Sequence, residues 1–130
     1  MESESLRGIE EPGNRRPWVL PEALADLARE GGAGLVAELL DDFRTDVQAR
    51  LGRLRAAVAS GDALTAKLEV HSIKGSAAQM GAAALTGACL SLEEQAGAHQ
   101  WRLVGVHLDS IQRQFERVCE AIRQHPLGGE

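Results

Sequence analysis

From Pro21 onward apolar residues return every three or four positions, and no stretch alternates apolar with polar as a half-buried strand requires. Val36, Leu40, Phe43, Val47, Leu51, Leu54 and Val58 lay one stripe along a helix from about Leu35 to Ser60. Ala66, Ile73, Ala77 and Met80 mark the inward side of the next, from Ala63 to about Met80. Leu85, Cys89, Leu92 and Ala96 do so between Ala82 and Ala96. Trp101, Val104, Leu108, Ile111, Phe115, Val118 and Ile122 complete the set near Gln100 to Gln124. The breaks suit their residues. Gly61-Asp62 reads as a helix C-cap followed by an N-cap, and Gly81 and Gly97 close the two middle helices. A short helix starting near Pro21 and carrying Leu24 and Leu27 comes first, ended by Gly31-Gly32-Ala33-Gly34.

Four amphipathic helices on short turns can bury their stripes only against one another. The expected fold is all-α, an antiparallel four-helix bundle with an additional short N-terminal helix over one end. Residues 1–17 carry Glu2, Glu4, Glu10 and Glu11, with Leu6 and Ile9 too sparse to anchor a helix, and read as a flexible tail. The bundle then occupies 18–125, and 126–130 form a C-terminal tail.

Composition narrows the function classes. A chain of 130 residues fits one domain. Aromatics are only 3% with no Tyr, which disfavours strands and agrees with the helical pattern. A net charge of −5 argues against a broad grip on nucleic acid, and Arg15-Arg16 is too short to supply one. No apolar run approaches the ~18 residues of a membrane span, and no secretory pattern opens the chain, so a cytoplasmic protein is expected. Cys89 and Cys119 have no metal or redox spacing. Cys89 lies on an apolar stripe and reads as core filling, while Trp18 and Trp101 read as packing anchors. A zinc site from His99, His107, His125 and the cysteines lacks ligand spacing.

The chemistry concentrates at His71-Ser72-Ile73-Lys74-Gly75-Ser76. Helical geometry puts Lys67, Lys74, Gly75 and Ala78 on the face of His71, and the core residues on the other. His71 is thereby turned to solvent. A helix-interior Gly costs about 1 kcal/mol against Ala, so Gly75 calls for a reason. Its missing side chain clears the approach to the imidazole. A surface imidazole is nucleophilic near neutral pH, and a cation one turn away can offset the charge of a phosphoryl group on it. Taken pair by pair, the same residues also describe a solvated His beside a Lys.

The longer pattern resembles the histidine-containing phosphotransfer (HPt) domains of multistep two-component phosphorelays. The matching residues are His71, Lys74, Gly75, Ser76, Ala77, Gly81-Ala82, Leu85, Cys89 and Leu92-Glu93, with similarity running from about Pro21 to Gln124. The resemblance implies a helical bundle whose exposed His71 takes a phosphoryl group from a receiver-domain aspartyl phosphate and passes it to another receiver aspartate. Implied partners are the receiver domains of hybrid sensor kinases and response regulators. No ATP-dependent kinase activity and no resident cofactor are implied, Mg2+ belonging to the receiver, and the chain has no Gly-rich phosphate loop. Glu93 matches the family position that can bond the imidazole Nδ1 and orient the ring. Its alternative is an exposed helix acid like Glu94.

Leu64 and Leu68 share the His71 side of their helix, and Leu90 should face the same way on the next. With Ala78, and rimmed by Lys67 and Lys74, they are expected to form an apolar docking patch, unless the first helix covers Leu64 or Leu68. Two other functional readings remain at this level: the His-bearing domain of a larger chemotaxis-type kinase, and a bundle that docks without transferring phosphate. Length and the terminal Gly-Gly-Glu favour a complete small protein, expected to be monomeric.

Overall fold

The computed structural model describes residues 16–97 and 103–128. Residues 1–15 of the expected 1–17 tail lie outside the described residues, as do His99 and Trp101. The described chain is all-α. Helix α1 spans Glu22–Leu27, α2 Ala33–Ser60, α3 Ala63–Gln79, α4 Ala83–Gly97 and α5 Val104–Gln124. Each of α2 to α4 packs on its successor, and α5 closes the ring against α2. The two- and three-residue turns after α2 and α3 force antiparallel neighbours, so these four helices form the expected up-down bundle. Helix α1 and the kinked connection Ala28–Gly32 pack on α2.

The stripes meet in one core. Leu40, Leu51 and Leu54 of α2, Ile73 of α3, Leu85 and Leu92 of α4, and Ile111 and Ile122 of α5 are its largest fully buried side chains. Several details differ from the periodic reading. In α3, Val70 is fully buried, while Met80 at the helix end, expected inward, is only half-buried. Helix α2 begins at Ala33, because the chain turns earlier, over Ala28–Gly32, and Ala33 and Gly34 already lie within the helix. At its other end Ala57 fills the last core position while Val58 is only half-buried. The stripe drifts around a helix of 3.6 residues per turn, and the inward position moves back by one. Helix α5 is described from Val104, short of the expected Gln100.

Asp62 caps α3 by accepting a hydrogen bond from Thr65 N at 3.1 Å, closing the helix start that its sequence announced. The segment before α1 fastens the other end of α3. Buried Trp18 donates from Nε1 to the Met80 carbonyl at 2.8 Å, and Val19 N donates to the Gly81 carbonyl at 3.3 Å. The Trp18 ring also meets His125 edge to face, with centroids 5.5 Å apart. Residues 126–128 turn back, Leu127 N donating to His125 Nδ1 at 3.1 Å and the Leu127 side chain packing on the core.

Gly81 is required where this segment crosses. Its φ is +80°, and a Cβ there would lie 2.4 Å from the Val19 carbonyl oxygen, closer than packed atoms come. Gly61 has a similar φ of +75° but open space around it. Gly61→Ala should therefore lose only the backbone cost of about 1–2 kcal/mol. Gly81→Ala should lose more, because the Trp18 segment must also shift. Urea unfolding of both variants, with Trp fluorescence following the segment, measures the difference.

Candidate functional site

Helix α3 is inward at Ala66, Val70, Ile73 and Ala77, all fully buried, which turns His71 outward with its side chain 71% exposed. The turn Met80–Ala82 then brings α4 back antiparallel, and with Leu92 inward the next residue, Glu93, faces α3. The two helices meet at a three-residue cluster. Glu93 Oε2 lies 3.0 Å from His71 Nδ1, and Glu93 Oε1 accepts from Lys74 Nζ at 2.6 Å.

This geometry determines the proton on the ring. An ionised carboxylate only accepts, so Nδ1 must carry the hydrogen of that bond. In the neutral imidazole the lone pair then sits on Nε2. Glu93 is half-buried, its side chain 21% exposed. Burial pulls its carboxyl upward, but the hydrogen bonds from Lys74 and His71, with their charges, outweigh burial and hold it below the ordinary carboxylate value. Cys89, one turn earlier on α4, is fully buried. Burial, then the Glu93 charge, pushes its thiol up to about 12 against the pull of Lys74, so it stays a protonated core group.

The remaining sequence candidates fall around this cluster. Lys67 is exposed one turn before His71 and makes no ion pair among the described residues. Gly75 and Ala78 are exposed, and a Cβ at Gly75 would meet nothing within 4 Å. Leu64, Leu68 and Leu90 are 68%, 60% and 45% exposed, so α1 covers none of them. His107 and His125 are half-buried on α5 and at its end, and among the described residues no cluster of His, Cys, Asp and Glu is arranged to hold a metal. No helix among the described residues is long and apolar enough to cross a membrane.

Two features escaped the sequence. Lys74 is engaged by Glu93, although its spacing pointed only to His71. On the opposite flank of α3, Glu69 accepts from Arg50 Nη1 at 3.1 Å and from Arg53 Nε at 2.9 Å, pinning α2 to α3. The three-residue spacing of the arginines hinted at one partner, but naming it needed the register between helices.

The Glu93 bonds carry a pH signature. Its carboxyl sits below the unfolded value in the native state, so the stability it adds is present above the unfolded value. That stability is lost as pH falls through the lower, folded one. Glu93→Gln should flatten the acid side of the stability curve while costing on the order of 1 kcal/mol or less at neutral pH, as solvent-screened pairs do. Urea unfolding of both proteins across the acid range is the measurement.

Comparison with known proteins identifies the family. The pattern that defines the Hpt domain matches residues 38–125, a span that takes in α3, α4 and the His71 cluster. Among solved structures, histidine-containing phosphotransfer protein B (HptB) from Pseudomonas aeruginosa PAO1 matches with a TM-score of 0.70 and 33% identity. The match covers 80% of this chain and 90% of that one. A search of curated proteins returns no match. With the family pattern spanning most of the bundle and a solved phosphotransfer protein sharing its fold, the chain belongs to the Hpt domain family.

Proposed function

We propose that this protein is a phosphorelay carrier in which His71 accepts a phosphoryl group at Nε2 from a receiver aspartyl phosphate and passes it to another receiver aspartate. The observation that carries this reading is the bond between Glu93 and Nδ1 on an otherwise exposed imidazole. It leaves Nε2 as the nucleophile, fixes the ring and supports the positive charge that grows as Nε2 attacks. The phosphorus–oxygen bond of the acyl phosphate breaks as the nitrogen–phosphorus bond forms, and the aspartate leaves as a carboxylate. Lys74 and Lys67 flank the imidazole and can offset the dianionic product. The protein then supplies a carrier group and not a kinase active site, and any Mg2+ sits in the receiver's acidic pocket.

Leu64, Leu68, Ala78 and Leu90 supply the docking surface. Charged residues would solvate these positions more cheaply, and exposed leucines around a reactive group suit the apolar face of a receiver domain. Gly75 supports the same reading. Nothing in the folded chain occupies the space its side chain would fill, which leaves that side of the imidazole open to a partner. A bundle that docks without transferring phosphate has no use for the Glu93–His71 bond. The site of action we infer is the cytoplasm, with the chain working as a monomer.

The decisive experiment incubates the protein with a phosphorylated receiver domain. His71→Gln should keep the helical fold, because the position is exposed, and should lose all labelling. The wild-type label should be acid-labile and base-stable, as a phosphoramidate is. Label retained by His71→Gln overturns the assignment.

Gly75→Gln separates stability from function. It should raise helix stability by about 0.5–1 kcal/mol and still slow transfer at least roughly tenfold, the equivalent of about 1.4 kcal/mol in docking. Transfer at the native rate would show that the cleared approach is not used.

A further inference from the structure

The cation best placed to meet a phosphoryl group on His71 already has a partner. Lys74 Nζ lies 2.6 Å from Glu93 Oε1, and the other oxygen of the same carboxylate holds His71 Nδ1. One carboxylate therefore serves a lysine and the imidazole together. Loading Nε2 changes the balance of charge. The phosphoryl group brings nearly two negative charges to within reach of a flexible four-carbon side chain leaning back over the turn that bears His71. A compact ammonium moves toward the larger charge.

We propose that Lys74 exchanges partners during the transfer cycle, neutralising Glu93 while His71 is free and swinging to the phosphoryl oxygens once Nε2 is loaded, so that the uncovered Glu93 keeps the proton on Nδ1. This rests on His71 being the phosphorylated group. The proton balance follows directly. A neutral imidazole protonated at Nδ1 attacks through Nε2, and the product is a phosphoimidazolium that still carries the Nδ1 proton. If that proton is kept, the return step breaks the nitrogen–phosphorus bond and leaves neutral imidazole, the group that started the cycle. Neither direction draws a proton from water. If it were lost, the leaving group would be an imidazolide, far poorer, and discharge would have to wait for reprotonation. Glu93 is thus a positioning residue for discharge as well as for loading, and Lys74 decides when its charge is felt.

The groups facing the imidazole are few. Helix α3 contributes Lys67 and Lys74, and α4 contributes Glu93, with Cys89 buried beneath and protonated. Helix α2 turns Arg50 and Arg53 to Glu69 on the far flank of α3. Glu93 is therefore the one carboxylate among the described residues in contact with the ring.

The test avoids receivers altogether, so that it stands apart from the question of partners. The protein is phosphorylated chemically with phosphoramidate, a small donor selective for imidazole nitrogen, and the phosphohistidine is titrated by 31P NMR. His71→Gln identifies the His71 resonance; its persistence in that variant would overturn His71 as the acceptor, and the exchange with it. In wild type the titration of the loaded ring should lie above that of Glu93→Gln by roughly one unit or more, the usual effect of an adjacent opposite charge. Lys74→Met removes the phosphoryl partner, and should shift the 31P resonance of the loaded ring even above its titration. Discharge to water at alkaline pH should slow at least roughly tenfold in Glu93→Gln, following the lost proton. Equal titrations in wild type and Glu93→Gln, or a loaded-state resonance indifferent to Lys74→Met, would overturn the exchange.

Discussion

The register of α4 against α3 carries the site. A single turn, Met80–Ala82, sets how far the two helices slide past each other, and Glu93 reaches His71 only at that setting. A slip of one residue would rotate Glu93 by about 100° away from the imidazole and leave both Nδ1 and Lys74 without their acceptor. The turn is held from outside. Trp18 and Val19 bond the carbonyls of Met80 and Gly81, and the positive φ of Gly81 lets the backbone pass beneath Val19. A segment far from the imidazole thereby helps to fix the chemistry of its ring.

The division of labour between core and surface makes such a site possible. Core contacts are apolar and continuous around all four helices, so stability rests on burial and not on the polar cluster. His71, Lys74 and Glu93 sit outside that core and can change charge without leaving an uncompensated group in the interior. The surface beside the cluster is not uniformly polar. Exposed leucines and a helix-interior glycine surround the histidine, each of them a poor choice for an isolated bundle.

Polar pairs between helices have unequal roles here. Glu69, taking two arginines from α2, acts as a structural clamp on the flank of α3 turned away from the histidine. Glu93 uses the same bivalence on the other flank to join a lysine to a ring nitrogen. Two carboxylates on facing helices thus do different work because of what their register puts opposite them.

Much of this was legible in the sequence. The helical period located the helices and nearly every core position, because burial on one face of a helix leaves a repeat that needs no knowledge of neighbours. The same period turned His71, Gly75, Leu64 and Leu68 outward, and the glycines and Asp62 marked the ends. The exact inward residue at the end of α2 was not legible, since Val58 and Ala57 differ by a drift that only packing resolves. Nor was the engagement of Lys74 by Glu93, the Trp18 bond to Met80, or the double bond to Glu69. Each joins residues far apart in the chain through a distance of about 3 Å. Periodicity specifies the direction of a side chain around its own helix. Distances of that kind are decided by how two helices slide and turn against each other, which exists only once the bundle has formed.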